Sequence, residues 1–181
     1  MYYICSGFYE EDNLRGVKKP LFYIINLEQS KILALVNEAL QINKSLFLID
    51  LKISSDAKIK VIVDGDQGVP LKECIRISRH IEHNLNRDVK DFSLEVMSAG
   101  LSEPLSLKRQ FKKNIDRTLK IKLIDGTKIE GNLDVIDDEG INISWKVREP
   151  KPVGKGKITV VKNAQIAFKN IKEAKVKIKY N

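Results

Sequence analysis

Residues Ser93–Leu105 read SLEVMSAGLSEPL. Leu94 and Val96 alternate with Ser93 and Glu95, the two-residue period of a half-buried strand. The small residues Ser98, Ala99 and Gly100 then break the alternation, and the chain runs through Leu101 and Pro104 to Leu105. This stretch is also a seam in composition. Residues 1–106 carry 13 Lys+Arg against 15 Asp+Glu, a net of −2, whereas residues 107–181 carry 19 against 9, a net of +10. The chain of 181 residues is long for one compact domain and comfortable for two small ones. The stretch is therefore read as an interdomain hinge made of Ser98, Ala99, Gly100, Leu101 and Pro104, with Gly100 permitting the turn.

Upstream of the seam, helix and strand patterns mix. Residues 1–27 show no sustained period and form an extension of uncertain structure. From Glu28 to Asn43, Ile32, Leu35, Val36, Ala39 and Leu40 recur at helical spacing. Ser45–Ile53 reads as a strand with Phe47, Ile49, Leu51 and Ile53 on one face. Lys58–Asp64 is a second strand with Ile59, Val61 and Val63 inward and Asp64 mostly on the other face. The short connection makes the two an antiparallel hairpin. Pro70 opens a helix whose stripe is Leu71, Cys74, Ile75, Ser78, Ile81 and Leu85. With the strand at Ser93 the order is α-β-β-α-β, two helices on one face of a three-stranded sheet in the α+β manner.

Downstream, Leu107–Ile115 is short, basic and helical in character, and from Thr118 the period is two. Leu119, Ile121 and Leu123 alternate with lysines, Asp125-Gly126 marks a hairpin, and Ile129, Leu133 and Val135 continue inward, with Gly131 read as a bulge or bend. Ile141, Ile143, Trp145 and Val147 form a third strand, Glu149–Gly156 a long basic loop, Ile158 and Val160 a fourth strand, and Val176, Ile178 and Tyr180 a last one. Five short, curved strands suggest a small barrel. The domain plan is thus 1–27 extension, 28–104 α/β domain and 105–181 barrel.

Enzyme chemistry finds little support. The Asp64/Asp66/Gly68 loop lacks calcium-loop spacing and a distal Glu. His80 and His83 lie off the apolar stripe without a ligand partner, and Ser78 has no base on its face. No phosphate-binding loop, dinucleotide fingerprint or metalloprotease motif is present. Cys5 and Cys74 make neither a disulfide framework nor a zinc site, which suits a reducing cytoplasm. No segment reads as a membrane span or secretory signal.

The basic strand positions carry the best chemical signal. Lys120, Lys122, Lys146, Arg148, Lys175, Lys177 and Lys179 alternate with inward apolar residues, and Lys151, Lys155 and Lys157 add to them from the loop. Lysines also blunt sheet edges, but edge protection does not account for an excess of +10 in one small domain. A polyanion, most simply nucleic acid gripped through its phosphates, does. Aromatics are sparse here and Trp145 is phased inward, so binding should read backbone or shape rather than stacked bases.

Several features together resemble the bacterial ribosome maturation factor RimP family. They are Val63-Asp64, Gly68-Val69, Cys74 and Ser78-Arg79, and above all LEVMSAGLSEPL at Leu94–Leu105. The family typically has LEVSSPG and an Asp-Arg-Pro-Leu-like step, so Met97, Ala99, Ser102 and Glu103 depart from its pattern. No role of that arginine transfers to this chain. The resemblance covers about residues 28–181. It implies an SH3-like or Sm-like barrel as the second domain, and a cytoplasmic, monomeric, non-enzymatic factor without cofactor. It also implies that such a factor binds the immature small (30S) ribosomal subunit through ribosomal RNA and a small-subunit ribosomal protein. The rival reading is an SH3-like module that binds peptides, which needs an exposed aromatic groove.

Overall fold

The computed structural model describes residues 9–10, 19–54, 56–85, 92–151 and 155–178, with side chains described from residue 29 onward. The chain divides into two compact units, Met1–Ser98 and Ala99–Asn181.

In the first unit, β1 (Tyr9–Glu10) and β2 (Lys19–Pro20) pair antiparallel ahead of α1 (Leu21–Gln41). The helix thus begins seven residues before the expected start at Glu28, inside a segment whose aromatic and apolar residues obscure a helical period. Its predicted stripe holds: Ile32, Val36, Ala39 and Leu40 are buried and Leu35 packs beside them. Then follow β3 (Leu46–Ile53), β4 (Lys58–Gly65), α2 (Leu71–Asn84) and β5 (Ser93–Ser98). β4 is central, antiparallel to β3 and parallel to β5, so α2 is the crossover of a β-α-β unit. Ile59, Val61 and Val63 of β4 lie under both helices in one core.

Four expectations need correction. In β3 the register shifts between Leu48 and Asp50. This bulge inverts the side-chain phase, so Leu46 and Leu48 face the core ahead of it and Leu51 and Ile53 behind it, while Phe47 and Ile49 do not. In α2 the buried positions are Cys74, Ile77 and Ile81, whereas Leu71 is 75% and Ile75 43% exposed. The neighbouring α1 rotates the stripe. Arg76 donates to the Ala39 carbonyl at 3.0 Å and to Glu73 at 2.8 Å, and His80 meets Glu38 at 3.4 Å, so that flank of α2 is covered. Pro70 is the residue before the helix, not its first turn. Asp64 is buried rather than outward and accepts the Gly65 N–H at 2.8 Å. Cys5 lies outside the described residues. Among those described, no helix is long and apolar enough to cross a membrane.

The second unit opens with α3 (Lys108–Lys113), then β6 (Thr118–Leu123), β7 (Lys128–Ile136), β8 (Gly140–Pro150), β9 (Lys157–Ala167), a 3-10 turn (Phe168–Asn170) and β10 (Ile171–Val176). All pairings are antiparallel, in the order β10-β6-β7-β8-β9. β9 and β10 are the outer strands, yet only three residues join them. The sheet must therefore roll until its edges approach, around a core of Leu119, Ile121, Leu133, Ile141, Ile143 and Ile166. Phe111 of α3 plugs this core, edge-on to Phe168 at 5.4 Å between ring centroids.

Gly126, at φ 90°, makes the predicted hairpin turn. Gly131 pairs in register with Leu119, so it is not a bulge. A Cβ there would lie 2.8 Å from the Ser144 carbonyl oxygen, and close strand approach explains the glycine. The bulge falls instead between Leu133 and Val135. It turns Val135 to solvent, against expectation, and brings Ile136 to the core.

Candidate nucleic-acid interface

Five of the predicted cations lie on β8 and β9 or at their far end, and these eleven-residue strands pair without interruption from Gly140↔Ala167 to Pro150↔Lys157. The prolines and glycines between 150 and 156 had suggested a loop from Glu149. Pro150 is instead accommodated at the end of the strand, where little ladder bonding is lost. The turn at the base is fixed by Asp137, whose Oδ1 accepts the N–H of Gly140 at 2.6 Å and of Glu139 at 2.9 Å. These bonds, with Gln165 donating to Oδ2 at 3.2 Å, hold its carboxyl below the usual range. Gly140 has no Cβ because one would collide with the Ile166 carbonyl. At the other end Lys151 N–H donates to the Gly156 carbonyl at 3.1 Å, with Gly156 at φ 123°.

β7 pairs with β8 only as far as Ser144. Beyond it, residues 145–150 and 157–162 form a two-stranded ribbon. Residues opposite each other across strands share a face. On the core side lie Trp145, Val147 and Val160, with Glu149 and Lys162 joined in an ion pair at 2.6 Å. On the outer side lie Lys146, Arg148 and Lys157, with Val161 and Thr159, and Lys151 and Lys155 stand at the tip. These five cations are exposed, and none forms an ion pair with a described residue.

The remaining predicted cations sit elsewhere, in a different electrostatic setting. Lys120, Lys122, Lys175 and Lys177 belong to β6 and β10 or adjoin them, and they interleave with Glu130 and Glu173. Lys177 meets Glu130 at 2.5 Å and Lys175 meets Glu173 at 2.7 Å. The hydrogen bond from Lys177 pulls the Glu130 carboxyl down, and that from Lys175 does the same to Glu173. The Lys175 ammonium is raised in return. A shallow groove runs between Lys120, Lys122, Lys128, Lys175, Glu130 and Glu173. Lys179 lies outside the described residues.

Ser98 ends β5, and the hinge residues follow in irregular backbone. Glu103 N–H donates to the Gly100 carbonyl at 3.1 Å, and Leu105 N–H donates to the Ala174 carbonyl at 2.8 Å, tying the chain to β10. Gly100 does not adopt a positive φ, so the turn does not draw on glycine's special freedom, contrary to expectation. Leu101 and Pro104 are exposed.

Sequence reasoning missed the neutral residues at the ribbon base. Asn142, Ser144, Asn163 and Gln165 continue the outer face towards the body of the sheet. Charge counting gives no weight to amides and hydroxyls, although the alternation through Asn142 and Ser144 was there to be read. A peptide groove would need exposed aromatics, but Trp145 packs on the core and Phe168 lies against Phe111. Among the described residues no three His, Cys, Asp or Glu group as a metal site.

The family model described as the RimP N-terminal domain matches residues 36–102. The ribosome maturation factor RimP of Christiangramia forsetii is 52% identical over 152 residues, covering 84% of this chain and 99% of that protein. That of Flavobacterium psychrophilum is 51% identical, covering 81% and 94%. That of Porphyromonas gingivalis is 36% identical, covering 82% and 97%. With about half of the aligned residues identical along nearly the full length of such relatives, the chain belongs to the RimP family of ribosome maturation factors.

Proposed function

We propose that this chain acts in ribosome maturation as a non-catalytic assembly factor for the small (30S) subunit, gripping its ribosomal RNA through the β8–β9 ribbon. The observation that carries the RNA contact is the set of five exposed cations, Lys146, Arg148, Lys151, Lys155 and Lys157, without ion pairs to described residues. Lysines already matched by Glu130 and Glu173 gain less from a phosphate, because binding must displace an existing partner. The acidic-leaning first unit supplies the second contact, to a basic small-subunit ribosomal protein. Residues Ser98 to Pro104 serve as the joint between the two contacts. The protein works as a monomer in the cytoplasm and needs no bond chemistry. A factor that binds one assembly intermediate more tightly than another shifts the population by that difference in affinity.

Sedimentation of the chain with ribosomal particles tests this. The protein should travel with immature small subunits. Lys146→Glu, Arg148→Glu, Lys151→Glu and Lys155→Glu together should reduce that association in a salt-dependent way. Association only with mature large subunits rejects the function, and undiminished binding by the variant rejects the ribbon as its RNA contact.

A further inference from the structure

The outer face of β8 and β9 changes chemistry along its length. From base to tip its cross-strand pairs are Asn142 with Gln165, Ser144 with Asn163, Lys146 with Val161, Arg148 with Thr159 and Pro150 with Lys157. The two pairs nearest the body carry three amides and a hydroxyl. The three nearest the tip carry the cations. Each pair is one two-residue step beyond the last, about 7 Å, so neutral and cationic blocks lie side by side on one strip about 27 Å long. The Ser144 hydroxyl donates to Asp134 at 3.0 Å and Gln165 to Asp137 at 3.2 Å, whereas the Asn142 and Asn163 side chains form no hydrogen bond with described residues. Among the described residues no aromatic side chain lies on this face, because Trp145 points to the core side.

We propose that this strip reads double-helical RNA, the neutral block meeting 2′-hydroxyls in the minor groove and the cationic block the adjoining phosphates. The proposal rests on the ribosomal-RNA reading above and names the class of RNA structure bound. An A-form helix hides its bases in a deep, narrow major groove and shows a wide, shallow minor groove lined with 2′-hydroxyls. A hydroxyl both donates and accepts, and so do amides and serine. Asp134 and Asp137 at the base discourage a phosphate there yet can accept from a 2′-hydroxyl. Lysine and arginine only donate and suit phosphates. A single strand would call for a stacking platform, and the described residues of this face supply none. A DNA duplex would satisfy the cations and leave the neutral block without its partner.

Fluorescence anisotropy on the full chain, at one salt concentration, tests the proposal with four probes. These are small-subunit ribosomal RNA, an RNA duplex of about 16 base pairs, the DNA duplex of the same sequence, and one RNA strand alone. The RNA duplex should bind roughly tenfold more tightly than the DNA duplex, the effect of one or two hydrogen bonds, and more tightly than the single strand. Asn142→Ala with Asn163→Ala should bring the two duplexes towards equal affinity by weakening the RNA complex alone. A 2′-O-methyl RNA duplex should do the same with the native protein, which covers the case of a misfolded variant. Equal affinity for the two native duplexes, tighter binding of the single strand, or an unaltered preference in both the variant and the methylated probe overturns the inference. If ribosomal RNA still binds, the functional reading stands. Failure to bind small-subunit ribosomal RNA overturns that reading and the inference with it.

Discussion

Replacing Lys146, Arg148, Lys151, Lys155 and Lys157 together by Gln removes the ribbon's unpaired charge and leaves its backbone intact. Each side chain is exposed and none pairs with a described carboxylate, so folding should be nearly unaffected. The effect on RNA binding can be worked from counterion release. Each phosphate neutralised on a duplex contributes about 0.9 to the slope of log affinity against log salt, so five contacts contribute about 4.5. Across a fourfold rise in salt, that slope corresponds to a loss of about 500-fold, which the variant should no longer suffer through these residues. The matched control replaces Lys175 and Lys177, which form ion pairs, by Gln. Glu173 and Glu130 already pair with these two, so the slope should change by about 1 or less. The assay is titration of labelled small-subunit ribosomal RNA at four or more salt concentrations, with melting curves to confirm folding. A slope equal to the native value in the five-residue variant, or an equal flattening in the control, refutes the division between paired and unpaired lysines.

Further outcomes follow from the packing. Ile77→Ala should destabilise the first unit by about 2–5 kcal/mol, because its side chain is fully buried. Leu71→Ala, on the exposed flank of the same helix, should stay within about 0.5 kcal/mol; denaturant titration separates the two, and equal effects would place the buried stripe wrongly. Asp137→Asn should lower the melting temperature near neutral pH. The folded carboxyl titrates below its ordinary 3.8, so its contribution is present above that value and is lost as pH falls through the lower folded value. Melting curves of the two proteins should therefore converge on acidification, and a constant gap would count against the turn's carboxylate. Ala99→Pro fixes φ in the proposed joint and should narrow the distribution of distances between spin labels placed in the two units; an unchanged distribution removes the joint.

Much of this fold was legible in the chain because simple periods dominate it. The stripe of α1, the alternation of β4, the Asp125-Gly126 turn and the break after Ser98 each follow from local chemistry. A residue's own neighbours in sequence decide them. The misses share a cause. Bulges after Leu48 and Leu133 insert one residue and invert the phase of all that follow, and the pairing partner that accommodates the extra residue lies far away in sequence. Ile77 displaced Ile75 from the core because α1 covers one flank of α2, a choice that helical spacing leaves open.

The same division holds for the interface. Sequence alone established where the positive charge lies, that Lys146 and Arg148 alternate with inward residues, and which family pattern surrounds Leu94–Leu105. Only tertiary structure separated the cations into two groups, because ion pairing depends on cross-strand register. Lys177 finds Glu130 across 47 positions of sequence, while Arg148 lies opposite Thr159 and has no acidic partner among the described residues. Tertiary structure also carried β8 and β9 past the last pairing of β7, so that a stretch read as a basic loop became a paired ribbon. Charge is a property of the residue and can be counted along the chain. Whether that charge is free to meet a phosphate depends on what folding places beside it.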